Sequence, residues 1–408
     1  MQRTALKARA DEADPSAVGR IPIALLALAL LAGCGDSAPG DPPGAWWAGR
    51  GPAVRALLAQ LAQLEGTPLA RRARELAAAL PDCEILGAHA PDGDVAKLTS
   101  SARCLSADDP LEEIRRAANS DLVFAIPHAP ETSLRGALHT EDGALALELR
   151  WRDPPAGGGL GLLVPGAEPA GPDRLASNGR LVQLRVRPRA GVDLASLVPE
   201  GSQADRLFRL KSALLSSAVL DGTWEVAVYL PERADGMPGV AVALGFSLRS
   251  AAVAAIERFV ADLQQTWPVH RSELHVAAGD GACLPDLNVL PELAPCYVAT
   301  ADALVVGWNP ASLERALATD PHAAIPQASR SEPQASEDHQ GGRGDDAPAR
   351  LDLDLALIQR ADALLARAFP SSSPPLRWPW RRVIAAGTGS DGALALRVIF
   401  VPDPRSAS

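Results

Sequence analysis

Residues 141–151 read EDGALALELRW, a turn at Glu141-Asp142-Gly143 followed by a predicted strand from Ala144 to Trp151. Residues 391–400 repeat this pattern as DGALALRVIF, and each copy reaches an aromatic residue, Trp151 or Phe400, shortly before an Asp-Pro pair. Two α+β halves that descend from one unit would explain the repetition. Chance similarity is the alternative, because the chain is rich in alanine and leucine.

Outward from this stretch, strand and helix patterns alternate along the chain. Apolar stripes at 54–64 and 69–80 predict an N-terminal helical hairpin. Further helices are predicted at 207–214, after an N-cap at Ser250, and after the capping pair Asn309-Pro310. Strands are predicted at 122–126, 181–186, 224–230, 240–246, 297–300 and 304–308. The expected fold class is therefore α+β, with mostly antiparallel sheets and packed helices.

The length of the chain, 408 residues, suits two or three domains of roughly 150 residues each. Residues 319–349 contain almost no large apolar side chains, so we expect them to form a disordered loop. The expected organisation is a signal peptide (1–33), a lipidated flexible tether (34–51), an N-terminal α+β region with the helical hairpin (52–170), a central α+β region (181–318), the disordered loop (319–349), and a C-terminal helix with strands that completes the α+β body (350–408).

The charge balance excludes one class of partner. The chain carries 49 acidic and 39 Lys or Arg residues, a formal net charge of −10. Nucleic-acid binding depends on neutralising phosphates with basic side chains, so nucleic acid is not expected as a partner. The acidic excess suits a protein that must stay soluble beside a surface.

The N-terminal region carries the most specific motif. Residues 21–33 form an uncharged apolar run of 13 residues, shorter than the roughly 20 that cross a bilayer but suited to the core of a signal peptide. The run ends in Leu31-Ala32-Gly33-Cys34, which resembles the lipobox of bacterial lipoproteins. A buried core helix that ends in an ordinary cysteine is the alternative.

The resemblance to lipoproteins implies cleavage before Cys34, a diacylglyceryl thioether on its sulfur and acylation, by palmitate or a similar chain, of its amine. Two or more acyl chains anchor a protein stably, whereas one chain holds it only marginally. Gly35 rather than aspartate follows the cysteine, which by resemblance to enterobacterial sorting implies the outer membrane, with the body periplasmic or on the surface. Trp46-Trp47, in the expected tether, suits either a lipid interface or, preferably, the first packed residues of the body.

The remaining four cysteines are even in number, which in an exported chain predicts two disulfides. Of the three possible pairings we favour the local one, Cys83–Cys104 and Cys283–Cys296, with separations of 21 and 13 residues. A zinc site would require closer cysteine pairs with histidines nearby, and redox catalysis would require C-x-x-C.

Motifs of common catalytic designs are absent from the sequence: it contains no H-E-x-x-H, no G-x-S-x-G elbow and no Walker-type loop. His270 and His275, five residues apart, are expected to be solvent or loop histidines. Asp280, Asp286 and Asn288 could surround a calcium ion, but they lack EF-hand spacing. No catalytic residue, cofactor or metal is therefore assigned.

An unusual tryptophan–arginine segment lies near the C-terminus. Trp378, Trp380, Arg381 and Arg382 combine indole rings with guanidinium groups, a composition that suits a membrane interface or an acidic partner. The favoured interpretation is an edge strand whose tryptophans pack inward and whose arginines offset nearby acid.

Together these patterns favour a membrane-anchored bacterial lipoprotein that is not an enzyme and acts as an envelope structural or protein-binding module. Its expected partners are the membrane, through the lipid anchor, and another envelope protein. The body also loosely resembles uncharacterised bacterial envelope proteins built from two α+β units. The alternatives are a tethered hydrolase whose site is assembled from scattered residues, and a lipoprotein that binds a small molecule or lipid.

Overall fold

A computed structural model describes residues 34–35, 42–64, 67–129, 133–141, 143–152, 165–188, 220–231, 238–266, 268–285, 294–318, 347–368, 378–390 and 393–403. These residues form an α+β fold around one large sheet. Its helices are α1 (Gly51–Ala62), α2 (Pro68–Ala79), α3 (Val95–Ser100), α4 (Pro110–Ala117), α5 (Arg249–Thr266), α6 (Pro310–Leu317) and α7 (Leu355–Ala368).

The strands are β1 (Cys34–Gly35), β2 (Ala45–Arg50), β3 (Ile85–Ala90), β4 (Arg103–Cys104), β5 (Leu122–Ala129), β6 (Ser133–Glu141), β7 (Ala144–Arg152), β8 (Arg180–Val186), β9 (Leu220–Tyr229), β10 (Gly239–Phe246), β11 (Ser272–Val276), β12 (Gly279–Cys283), β13 (Cys296–Ala299), β14 (Ala303–Gly307), β15 (Ala349–Asp354), β16 (Trp380–Ser390) and β17 (Ala393–Pro402). Glu141 of β6 lies opposite Ala144 of β7, and Gly143 between them has φ of +78°, which fits the turn predicted from the sequence.

The pairings place the strands in the order β4-β3-β2-β5-β6-β7-β17-β16-β15-β8-β9-β10-β14-β13-β12-β11, with every neighbouring pair antiparallel. Strand β1 pairs with β5 in parallel, with Cys34 opposite His128. The C-terminal strands β15–β17 therefore lie inside the sheet, between β7 and β8. They join the N-terminal and central regions into one continuous sheet.

One face of this sheet holds the largest apolar core. Side chains of α1 and α2, such as Leu58, Leu61 and Ala70, pack with strand residues such as Phe124 and Phe400. Helix α7 contributes Leu355 to the same core. Further along this face, α5 packs Ile256, Val260 and Leu263 on β10, β13 and β14. The 3.6-residue spacing of these apolar positions explains why each helix buries one side.

The opposite face is covered in two separate places. Helix α4 packs Leu111 against Trp46 and Val123 at one end of the sheet. At the other end, α6 and Leu175 of the segment 165–179 pack on β9, β10, β13 and β14. Helix α6 begins as the sequence predicts, since the Asn309 side chain accepts a hydrogen bond from the Ser312 backbone N–H at 2.8 Å.

Two groups of five strands within the sheet share one strand order. In β3-β2-β5-β6-β7 and in β9-β8-β15-β16-β17, the first strand along the chain lies between the second and the third. The hairpins also match in register: Glu141 lies opposite Ala144, and Ser390 lies opposite Ala393. Where β7 pairs with β17, Leu145 faces Phe400 and Trp151 faces Leu394.

Three sequence-based boundaries are wrong. The expected tether 34–51 overlaps β2, in which Trp46 is fully buried, so a tether can extend at most to Gly44. Ser250 is not an N-cap, because α5 already begins at Arg249. The expected end of the disordered loop at residue 349 is wrong, since Ala347 is buried and β15 begins at Ala349. The loop's remaining residues, 319–346, and the predicted helix at 207–214 lie outside the described residues.

Both disulfides of the favoured local pairing are present. Cys83 is bonded to Cys104, and Cys283 to Cys296, with Cα–Cα distances of 5.7 and 4.0 Å. The first joins the segment before β3 to β4, and the second joins directly opposite residues of β12 and β13. Within the described residues, no helix has the length and apolar character needed to cross a bilayer.

Candidate functional site

A cleft opens between α5 and the strands at the end of the sheet. Its volume is about 860 Å³, which lies within the usual range of ligand sites. It is lined on the helix side by Arg249, Ser250, Val253, Ala254, Ile256 and Glu257, and on the sheet side by Arg271, Glu273, His275, Asp280, Gly281, Tyr297 and Ala299. The site therefore combines a partly apolar wall with charged groups of both signs.

The position of the cleft follows from the length of the sheet. Helix α5 packs its apolar side on β10, β12, β13 and β14, with Ala282 of β12 in this core, but the edge strand β11 lies beyond it. The side chains that alternate onto this face, Glu273 and His275 of β11, are consequently exposed. The cleft is the space between the exposed side chains of β11 and helix α5.

Glu257 organises the inner part of the cleft. Its carboxylate accepts two hydrogen bonds from the guanidinium of Arg271, one of them at 2.9 Å, and a third from the Tyr297 hydroxyl at 3.3 Å. Burial, with the adjacent Glu257 carboxylate, raises the pKa of Tyr297 to about 12. The hydrogen bond to Glu257 also raises the pKa of Arg271. Tyr297 is therefore a protonated donor near neutral pH, and Arg271 stays charged.

The outer part of the cleft holds a second charged group. His275 Nδ1 lies 2.9 Å from Asp280 Oδ1, and its Nε2 lies 3.8 Å from Glu273 Oε2. The hydrogen bond with Asp280 raises the pKa of His275. Both histidines are exposed, as the sequence predicts: His270 lies on the connection before β11, and His275 lies on β11 itself.

The mouth of the cleft is fixed by the backbone. Arg249 at the start of α5 donates to the Ala299 carbonyl at 3.1 Å, which ties the helix to β13. Gly279, the first residue of β12, has φ of +149°, and a Cβ there would lie 2.9 Å from the Ala299 oxygen. A side chain at this position would be strained and would collide with β13. Glycine therefore permits the close approach that shapes this end of the site.

A second polar cluster lies on the opposite face and has a structural role. Glu225 is 1% exposed, and its carboxylate accepts from the Arg174 backbone N–H at 2.8 Å and from Gln183 Nε2 at 2.6 Å. Burial raises the pKa of Glu225. The Arg174 guanidinium also pairs with Asp221 at 3.0 Å and with Asp302 at 3.1 Å. These bonds fasten the segment 165–179 across β8 and β9.

The tryptophan–arginine segment is not an exposed interface. Trp380 is 5% exposed and its ring centroid lies 5.0 Å from that of Phe400, while Trp378 packs partly buried against the same core. Arg382 forms two hydrogen bonds with the buried carboxylate of Asp352, and Arg381 remains exposed. Strand β16 is paired on both sides, so it is an interior strand rather than the expected edge strand. The inward packing of the tryptophans follows the favoured interpretation.

The other sequence candidates do not converge on one site. Asp280 lines the cleft, whereas Asp286 and Asn288 lie outside the described residues. Among the described residues, no group of three or more His, Cys, Asp or Glu side chains is arranged to hold a metal ion. The sequence analysis missed Glu257, Arg271 and Tyr297, because they come from three separate elements. The sequence could have indicated only that Glu257 lies on the polar side of the predicted α5 helix.

Comparison with known proteins gives no further assignment: no protein-family model, curated protein or solved structure resembles the chain.

Proposed function

We propose that this chain is a bacterial lipoprotein, cut before Cys34 and held by acyl chains on the cell envelope, in the outer membrane. In this proposal its α+β body is a non-enzymatic structural or protein-binding module, periplasmic or exposed at the surface. The observation that carries the proposal is the sequence Leu31-Ala32-Gly33-Cys34 at the end of an apolar run too short to cross a bilayer.

Two structural features support the proposed compartment. The disulfides Cys83–Cys104 and Cys283–Cys296 are stable in oxidising compartments such as the periplasm and are rare in the cytosol. Cys34 and Gly35 pair with β5 as strand β1, and ten residues separate Cys34 from Ala45, the first residue of β2. A linker of that length reaches at most about 35 Å, so the body would remain close to the membrane surface.

The chemistry of the cleft favours binding over catalysis. Its strongest acids and bases satisfy each other, since Glu257 is bound by Arg271 and Tyr297 and His275 is bound by Asp280. A general base works best when its pKa lies near the working pH, whereas the pKa of Tyr297 is raised to about 12. Fixed ion pairs and a protonated hydroxyl are suited to recognising polar groups on a partner.

The anchor is tested by growing cells that express the full chain with labelled palmitate. We expect label on the wild-type protein and its recovery in the membrane fraction. Cys34→Ala should lose the label because the acylated sulfur is gone, and the uncut chain should accumulate. Ser37→Ala is the matched control, since it lies three residues further on and leaves the lipobox intact.

An unlabelled wild-type protein, or label that survives in Cys34→Ala, would refute the lipoprotein assignment. The compartment is tested separately by thiol alkylation before and after reduction. Four protein thiols that react only after reduction are expected for an exported, disulfide-bonded body. Four thiols that react without reductant would place the chain in a reducing compartment.

A second candidate function, capture of a small ligand by an anchored body, is favoured by the cleft of about 860 Å³. In that case Glu257→Gln should weaken ligand retention, because it removes the charge that positions Arg271 and Tyr297. Native mass spectrometry of protein purified from its own envelope would detect a bound small molecule. Recovery of ligand-free protein bound to another polypeptide would favour the protein-binding role.

We also propose that the body descends from a duplicated unit. The repeated Asp-Gly stretches, the equal strand orders and the matched hairpin registers support this relation. The meeting of Leu145 with Phe400 and of Trp151 with Leu394 is the exchange expected around a pseudo-twofold axis. An experimental structure in which the hairpins superpose best at another offset would contradict it.

A further inference from the structure

The two ends of the sheet differ in how they are protected. At one end, β4 contains only Arg103 and Cys104, and Cys104 is bonded to Cys83. At the other end, β11 has five residues and, among the described residues, pairs only with β12. Short strands and covalent ties are usual ways of blocking further pairing, whereas a longer exposed edge offers backbone donors and acceptors to another strand. Within the part of the chain that the structure describes, β11 is therefore the open edge of the sheet.

The side chains of β11 alternate in character. Glu273 and His275 are exposed on the face that carries the cleft. Leu274 and Val276 are half-buried on the other face, where they pack against the apolar core of α6 and its strands. A partner strand would therefore have to present charge on one face and apolar groups on the other.

A second β11 meets this requirement in one register. In an antiparallel pair centred on Leu274, Glu273 lies opposite His275 of the other copy and His275 lies opposite its Glu273. Centring on Glu273 would instead oppose two glutamates, and centring on His275 would oppose two histidines. Opposite charges directly across a strand pair are stabilising and like charges are destabilising, so the charges select the first register.

We propose that β11 pairs antiparallel with β11 of a second copy, centred on Leu274, so that the sheet continues through a twofold homodimer. The two cleft faces would then lie on the same side of the joined sheet. Such an interface is isologous, since the same surface is used by both copies. The raised pKa of His275 supports the pairing, because it keeps the imidazole positively charged at mildly acidic pH. The groups that face this imidazole are Asp280 on β12 and Glu273 on β11.

The proposal is tested by oxidative cross-linking of the full chain in intact cells that express it. In the proposed register the two Leu274 Cα atoms are roughly 4.5–5.5 Å apart, which a disulfide can span. Leu274→Cys should therefore give a covalent dimer on non-reducing gels. Thr388→Cys is the matched control, because Thr388 is an exposed strand residue in the interior of the sheet.

A Leu274→Cys protein that stays monomeric, or that cross-links no better than Thr388→Cys, would overturn the pairing. A charge exchange provides a second test that does not depend on the new cysteine. Glu273→His and His275→Glu should each weaken the dimer of the solubilised protein at pH 6 by about tenfold, since each creates like-charged pairs. The double variant should restore the wild-type dissociation constant, measured by sedimentation velocity.

A double variant as weak as the single variants would also refute the register. These outcomes are independent of the anchor, because cross-linking and sedimentation do not require lipid. A cross-linked protein without palmitate label would leave the dimer in place and remove the lipoprotein proposal. A palmitate-labelled protein that never cross-links would support the lipoprotein proposal and refute the dimer.

Discussion

Removal of the Cys283–Cys296 disulfide should destabilise the protein by an amount that follows from the chain it closes. The cysteines are 13 residues apart, and cross-linking a loop of this length restricts the unfolded chain by about 3 kcal/mol at 25 °C. Cys283 is 7% exposed and Cys296 is fully buried, so alanine is the suitable replacement; serine would bury a hydroxyl group. We therefore expect Cys283→Ala with Cys296→Ala to lower the free energy of unfolding by about 3 kcal/mol.

The measurement is urea unfolding followed by tryptophan fluorescence, with the slope compared between variants to detect a change in the surface exposed. The matched control is Cys83→Ala with Cys104→Ala. That loop spans 21 residues and should cost slightly more, about 3.3 kcal/mol. A loss below about 1 kcal/mol for the Cys283–Cys296 pair would refute the argument from loop closure, since it would mean that the unfolded chain gains little freedom.

Three further predictions concern individual side chains. Asn309→Ala should cost about 1 kcal/mol in urea unfolding, because it removes the cap that accepts the Ser312 N–H; Asn309→Asp, which can still cap, should cost less. Trp380→Ala should cost about 3–5 kcal/mol, because the ring is buried in the core; a loss below about 1 kcal/mol would show that the ring lies at the surface instead. Glu225 has a raised pKa in the folded protein, so its contribution to stability is present below the ordinary pKa of 4.5 and is lost as pH rises through the folded value. Glu225→Gln should therefore be more stable than the wild type at pH 7 and lose that advantage below pH 4.5; an advantage that persists at low pH would contradict burial as its cause.

Local elements were predictable where residues close together in the sequence determine them. The hairpin of β6 and β7 follows from Asp142-Gly143 between two strand patterns, and α6 follows from Asn309-Pro310. The α+β class follows from the same periodicities. The end of the tether was placed too late because β2 is short and follows a Gly- and Pro-rich stretch, and its place in the sheet depends on pairing with β3 and β5. The favoured interpretation of Trp46 and Trp47 as the first packed residues is confirmed for Trp46, which is fully buried.

The cleft could not be predicted to the same degree. Glu257 lies on the exposed side of a helix, Arg271 on a connection and Tyr297 on a strand, and no spacing links them along the chain. They meet because β13 lies two strands inside the edge and α5 crosses that part of the sheet. For Trp380 the favoured interpretation, inward packing, is confirmed, but only the structure identifies Phe400 as the ring beside it.

The sequence by itself determined the local properties of this protein: the apolar run before Cys34, the hairpin turns, the helix starts and the presence of four cysteines suited to local bridges. These depend on neighbouring residues along the chain, through backbone preference, side-chain spacing and short loops. Only the tertiary structure decided the order of strands, the insertion of β15–β17 between β7 and β8, the exposure of β11 and the meeting of Glu257 with Arg271 and Tyr297. Those features arise from contacts between distant segments. The free energy of such contacts depends on which surfaces are buried together, so they produce no periodic pattern in the sequence.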